Sequence, residues 1–245
     1  VTTSPFTAPS TPAASDPRDE QPQYVLPLLV RLEKAEPPAR TDALETSARA
    51  VLTLLADPRV TEPEGEWAER VAAWEDARIR KVVRRARGGE WRKANELPGI
   101  TVSGASAEVR VFPPVPLDGW PKELAKLQVS GTDLDDPAEP GPVEPGVPVL
   151  WLNPELEMSA GKTMAQTGHA AQLAWWRLDD AQRKEWAEAG FRLAVRTAAK
   201  EDWAELMAGH LPVVHDAGFT EIAPGPTVAL EGGERYCPTP RLRRP

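Results

Sequence analysis

Two stretches of the chain repeat one pattern of apolar and polar positions. YVLPLLVRL (24–32) and VPVLWL (147–152) are apolar runs of the length expected of buried strands. Each leads into a helical pattern. Over 41–56, Ala43, Leu44, Ala48, Val51, Leu52 and Leu55 recur near the 3.6-residue period that gives a helix one buried face. IRKVVRR (79–85) and FRLAVRT (191–197) alternate as strands do, and each stretch ends in a β-rich run, VRVF (109–112) and TVAL (227–230). Each unit therefore reads as strand, helix, helix, strand, helix and two strands. Strands interspersed with helices predict an α/β three-layer sandwich with a mixed sheet.

The two units align with one another. Placing Trp74 on Trp186 also aligns Ala77 with Ala189, Arg80 with Arg192, Val83 with Val195, Arg84 with Arg196, Ala86 with Ala198 and Trp91 with Trp203. A two-residue insertion then brings Leu97, Pro98 and Gly104 onto Leu211, Pro212 and Gly218, and earlier Thr41, Ala43 and Ala48 fall on Thr163, Ala165 and Ala170. The paired tryptophans are the feature hardest to assign to chance.

Composition divides the remainder. Residues 1–23 are rich in Pro, Ser, Thr and Ala and read as a disordered tail, and 130–148 is an acidic, Pro-rich linker between units at 24–129 and 149–236. A basic tail follows at 237–245. The net charge of −8 is concentrated in two of these segments, −2 in 1–23 and −5 in 130–148, which leaves −1 elsewhere. The acidic balance is therefore weak evidence against a nucleic-acid partner. Cys237 is the only cysteine, which excludes an intrachain disulfide and argues against a thiolate metal site. No apolar run reaches the roughly 20 residues of a membrane span, and a cytoplasmic protein is expected.

Two segments carry candidate chemistry. In EMSAGKTMAQTGHAAQLAWW (157–176), Ser159 is a plausible N-cap and Gly161 permits a tight turn before Lys162. Free N–H groups at a helix start beside a lysine suit a phosphate or carboxylate, although a capped helix with a solvated lysine fits the same residues. Ala165, Gly168 and Ala171 recur every three positions, so a neighbour must pack closely on that face. In VVHDAGFTEIAPGPTVAL (213–230), Asp216, Gly218 and Thr220 form a turn after a strand. Asp216 can orient or deprotonate a water that Thr220 holds, or both can simply bond to nearby backbone.

The segments MSAGKTMAQTGHAA (Met158–Ala171) and DAGFTEIAPG (Asp216–Gly225) resemble the two signatures of the type 2 peptidyl-tRNA hydrolases. The resemblance covers roughly Val149–Leu230. It implies a mixed four-stranded sheet flanked by helices, and here that unit would be present twice as a pseudo-dimer, the first copy degenerate. It implies hydrolysis of the ester joining a peptide to tRNA, without cofactor or metal, with Lys162, Asp216, Thr220 and His169 as catalytic residues. Ser159, Gly161 and Gln166 are the adjoining candidates for substrate binding. Two positions depart from the family's pattern: Phe219 stands where arginine is usual, and Glu221 where glutamine is. In the first unit Arg40 aligns with Lys162, Ser47 with His169, Val102 with Asp216 and Ser106 with Thr220, which should leave that half without hydrolysis.

The first unit also carries RIRKVVRRARGGEWRK (78–93), whose Arg84, Arg85 and Arg87 can neutralise phosphates while Trp91 stacks on a base. A charged strand edge that resists aggregation fits the same residues. The expected partner is peptidyl-tRNA, with the ribosome as a further one, for a homodimer or a monomer with an internal pseudo-dimer. The rival reading is an inactive tRNA- or ribosome-binding pseudo-hydrolase.

Overall fold

The computed structural model describes Arg18, residues 21–218 and residues 220–232. The tail expected at 237–245, most of that at 1–23, and Phe219 lie outside the described residues.

The first unit runs β1 (Tyr24–Arg31), α1 (Arg40–Leu55), a short α2 (Pro58–Thr61), α3 (Ala68–Asp76), β2 (Arg80–Ala86), α4 (Gly88–Asn95), β3 (Ile100–Ser103), β4 (Glu108–Val111), β5 (Val115–Pro116) and α5 (Lys122–Ala125). The second runs β6 (Val149–Leu152), α6 (Ala160–Arg177), α7 (Asp180–Glu188), β7 (Ala194–Thr197), α8 (Lys200–Ala208), β8 (Val213–Asp216) and β9 (Gly225–Glu231). Strand order is β2-β1-β4-β3 in one sheet and β7-β6-β9-β8 in the other, with the same mixture of parallel and antiparallel pairs. This is the expected α/β architecture of mixed sheets flanked by helices, and the two sheet units are consistent with a pseudo-dimer. The first sheet has a fifth strand, because β5 pairs with the start of β1. Two residues are too few for an alternating pattern to reveal.

The pairing of Pro27 with Val82 in one sheet and of Val149 with Ala194 in the other preserves the offsets read from the sequence. Trp74 and Trp186 are both fully buried. Each indole N–H donates to a main-chain carbonyl six residues on, Arg80 at 2.9 Å and Arg192 at 3.0 Å. One turn after the strand, Trp91 and Trp203 are buried beneath their respective sheets.

The third strands correct the sequence alignment. Val102 pairs with Val109 and Val214 with Val228, and those partners occupy matching rungs against Val30 and Leu152. Val102 therefore stands opposite Val214 rather than Asp216, with no insertion before β3. The added residues come after β8. The turn spans 104–107 in the first unit and 217–224 in the second, so Thr220 lies on a longer loop rather than opposite Ser106.

The units meet through α1 and α6, and each of these helices also crosses onto the other unit's sheet, α6 at β2 and α1 at β7. One apolar core spans both units. Buried hydroxyls tie the helices together: Ser47 Oγ donates to the Met164 carbonyl at 3.1 Å, and Thr167 Oγ1 to the Leu44 carbonyl at 3.3 Å. A Cβ on Gly168 would come within 3.0 Å of Val51 Cγ2 and 3.4 Å of Lys81 Cδ. The small-residue face of α6 thus exists for the opposite unit. At the reciprocal crossing, Glu45 of α1 accepts the Val195 N–H of edge strand β7 at 3.0 Å and a bond from Arg196 at 3.1 Å.

Candidate functional site

The start of α6 is built from inside the protein. Ser159 caps it, its Oγ accepting the Lys162 N–H at 3.2 Å while donating to Glu221 Oε1 at 2.8 Å. The other Glu221 oxygen accepts the Ser159 N–H at 3.0 Å, and the Ala160 N–H donates to the Thr132 carbonyl at 3.1 Å. These N–H groups were candidates for holding a free anion, and the protein's own acceptors take them. Gly161 is buried, with its would-be Cβ 3.4 Å from the Thr132 side chain. Ser159 and Gly161 therefore shape the helix start. Glu221, in the sequence only a departure from the usual glutamine, is the clamp that holds Ser159.

Lys162 is not a solvated lysine. Its Nζ lies 2.5 Å from Asp216 Oδ2 and 2.9 Å from Thr220 Oγ1. Asp216 closes β8, and the turn behind it needs the left-handed backbone of Gly218 (φ +78°), whose N–H donates to Asp216 Oδ1 at 2.9 Å. One helical turn beyond Lys162, Gln166 donates to Asp216 Oδ2 at 2.7 Å and accepts the Thr227 hydroxyl at 2.9 Å. Thr227 comes from β9 and is buried, so it fixes which end of the Gln166 amide faces the carboxylate. Neither Thr227 nor this role of Gln166 could be read from spacing, because the contact joins residues 61 apart.

The Lys162 and Asp216 side chains are 13% and 10% exposed, enclosed enough for their attraction to escape most solvent screening yet open on one side. Burial alone would raise the Asp216 pKa. The Lys162 hydrogen bond, the Gly218 N–H, the Lys162 charge and Gln166 together outweigh it and leave the carboxyl below its ordinary value. At neutral pH the site thus holds an ionised carboxylate, an ammonium and the exposed hydroxyl of Thr220. That set can orient a water and offer positive charge to an oxyanion or a phosphate.

Residues 147–233 match the family Peptidyl-tRNA hydrolase PTH2. The match takes in β6 to β9 and every member of the Lys162–Asp216 cluster. Phe219 falls within this PTH2 domain but lies outside the described residues.

His169 does not join the cluster. It lies two turns along α6 from Lys162, at the crossing with β2, with its Nδ1 3.2 Å from Lys81 Nζ. Burial, then the charges of Lys81 and Lys162, hold its pKa well below that of an ordinary histidine, so the ring is neutral.

The basic residues of the first unit stay apart from one another in role. Arg84 donates to the Ala125 carbonyl at 3.1 Å and to that of Leu127, and its guanidinium lies 4.4 Å from the Trp120 ring centre. Arg85 donates to the Ser130 carbonyl at 3.1 Å and to the Gln128 side chain. Trp91 is buried in the core beneath the first sheet and presents no face for a base. Arg87 is exposed, lining a groove with Glu33, Lys93 and Lys126. Residues 128–132 lead from Arg85 to the start of α6, through the Ser130 and Thr132 carbonyls. Among the described residues, no group of three or more His, Cys, Asp or Glu is placed to hold a metal, and no helix is long and apolar enough to cross a membrane.

Proposed function

We propose that the protein hydrolyses the ester bond linking a peptide to tRNA. The observation that carries this reading is the Lys162–Asp216–Thr220 cluster inside the stretch that matches the PTH2 family. A carboxylate whose pKa is lowered is a weak base, so Asp216 acts by orienting water with its charge, and Thr220 holds that water by its hydroxyl. Lys162, already within reach of both, neutralises the oxyanion that forms as water adds to the carbonyl; the proton the water sheds is taken by Asp216 only as the new C–O bond forms, and passes to the ribose oxygen as the ester C–O bond breaks. His169, apart from the cluster and neutral, sets the geometry of α6 or relays a proton.

The N-terminal unit, in this reading, is a degenerate copy that serves as an internal partner. The shared strand order and the matched Trp74 and Trp186 bonds support it. Its own crossing has no equivalent of Asp216, and tRNA contact would come from Arg87, Lys93 and Lys126 along the groove they share with Glu33 and Glu90.

The test is release of free tRNA from a purified peptidyl-tRNA mimic in excess EDTA, comparing wild type with Asp216→Asn. Cleavage by the wild type that the variant loses supports a metal-independent hydrolase with its site in the second unit. Wild type that binds tRNA and releases nothing moves the reading to a binding protein. Hydrolysis retained in both Lys162→Ala and Asp216→Ala sinks the assignment of the site.

A further inference from the structure

A buried polar chain crosses the boundary between the units. Lys81 of β2 is 8% exposed, and its Nζ lies at hydrogen-bond distance from three groups: Gln172 Oε1 at 2.6 Å, His169 Nδ1 at 3.2 Å and the Ile79 carbonyl at 3.3 Å. Gln172 Oε1 and the Ile79 carbonyl can only accept, and His169 Nδ1 accepts as well when the ring's proton is on Nε2. Gln172 passes the polarity on by donating from its Nε2 to Glu75 Oε1 at 3.1 Å, and the Trp176 indole donates to the same oxygen at 2.9 Å. The Trp74 ring, 4.7 Å from Nζ, closes one side. Burial pulls the Lys81 pKa well down, and the charge of Glu75 opposes that pull.

This lysine has no counterpart in the other unit. At the offset set by Trp74 and Trp186, Lys81 falls on Leu193, and His169 falls on Ser47, which bonds to the Met164 carbonyl instead. Gly168 lies beside this lysine: a Cβ there would press on Val51 Cγ2 at 3.0 Å and touch Lys81 Cδ at 3.4 Å. A glycine in a helix interior costs about 1 kcal/mol relative to alanine, so the room it leaves has a use. Burying a lysine is costly unless its N–H groups find partners, and two of the three partners here belong to α6.

We propose that Lys81, contributed by the N-terminal unit, is a positioning residue for the PTH2 domain: it donates to His169 Nδ1 and holds that imidazole in one orientation as the Nε2–H tautomer. This rests on the proposed hydrolysis only for its effect on turnover. The lysine fixes the ring, and the ring fixes its face of α6, which carries Gln166 and Lys162 toward Asp216. The N-terminal unit then shapes the active site through this side chain.

The experiment uses the full chain with Lys81→Met and Lys81→Leu, the second installing the residue type that the other unit carries at this place. Nitrogen-15 spectra of the histidine rings, assigned with His169→Gln, read the tautomer directly, and steady-state hydrolysis of a peptidyl-tRNA mimic reads kcat and KM. In the wild type the His169 signals should be those of one tautomer, and in both folded variants they should move to a mixture. The kcat should fall on the order of tenfold, as loss of fixed geometry does, with KM little changed. Lys81→Met combined with His169→Gln should be no slower than His169→Gln alone. Unchanged His169 signals in the variants, or effects of the two substitutions that multiply, overturn the proposal. If the wild type hydrolyses nothing, the reading of the site fails by itself, and the ring signals still decide whether Lys81 fixes His169.

Discussion

The same helix-to-turn crossing is closed in opposite ways in the two units. In the first, the carboxylate is on the helix: Asp42 of α1 accepts the N–H groups of Ala105 at 3.1 Å, Ser106 at 2.6 Å and Ala107 at 2.7 Å, and the Ser106 hydroxyl at 3.0 Å. In the second, the carboxylate is at the strand end, and the helix supplies Lys162 and Gln166. Burial pushes both carboxyls upward, and in both the donors win, leaving them below the ordinary range. The difference lies in what the donors can do afterwards. Backbone N–H groups in a short turn are fixed and spent on Asp42. An ammonium on a four-carbon stem and a hydroxyl on a longer loop can turn toward a substrate without unfolding anything. The first unit has made a structural clasp from the geometry that the second, in the proposed reading, keeps for chemistry.

Paired substitutions at matching places test this contrast most severely. Lys162→Ala should lower kcat/KM for peptidyl-tRNA hydrolysis by on the order of 10²–10³, the usual loss when one donor to a developing oxyanion is removed. Arg40→Ala, at the aligned position of α1, should leave hydrolysis within about twofold of wild type, since surface changes away from a site have small effects. Equal losses in the two variants would erase the distinction between the units.

The reverse asymmetry should hold for stability. Asp42→Ala leaves three backbone N–H groups of the 104–107 turn without their acceptor, at a cost of about 1–3 kcal/mol in chemical denaturation, while turnover per folded molecule is retained. Trp74→Phe and Trp186→Phe form the symmetric control. Each removes one indole-to-carbonyl bond of the same geometry, worth about 1 kcal/mol, and the rest of each cost reads what the ring packs on, Lys81 for Trp74 and Phe191 for Trp186. A large disparity would mean that the shared topology does not carry shared energetics.

Much of this contrast was legible in the sequence, and the missing parts have physical reasons. The helices and strands followed from period and apolar runs, and the paired tryptophans marked equivalent positions because each is locked by a bond only six residues long. The motifs placed Lys162, Asp216 and Thr220, and the fold brings Asp216 and Thr220 each within 3 Å of Lys162 Nζ. Trp91 was misleading because a basic neighbourhood says nothing about which way an aromatic ring points, and this one turns inward. The alignment slipped at β3 because Gly104 and Gly218 are both turn glycines, yet they sit in turns of different length. Lys81, Thr132 and Glu221 were invisible as partners of α6, since each reaches it across a long stretch of chain.

The smallest expected effect is also the most specific, because it separates the two lowered carboxyls by cause. For both groups the folded pKa lies below the unfolded value, about 3.9 for an aspartate, so each contributes stability that is complete above that value. That contribution is lost as pH falls through the folded pKa. The stability gap between wild type and Asp216→Asn should therefore be level from about pH 7 to pH 5 and shrink below about pH 4. Lys162→Met then distinguishes the donors. It removes the hydrogen bond and the charge that do most to hold Asp216 down, so the carboxyl signal of Asp216 in a carbon-13 titration should move upward, driven by the burial that remains. Asp42, held by neutral backbone N–H groups of its own turn, should titrate as before. Coincident upward movement of both would show that the two crossings are coupled through α1 and α6. Movement of neither would mean that the Gly218 N–H and Gln166, rather than the lysine, keep Asp216 ionised.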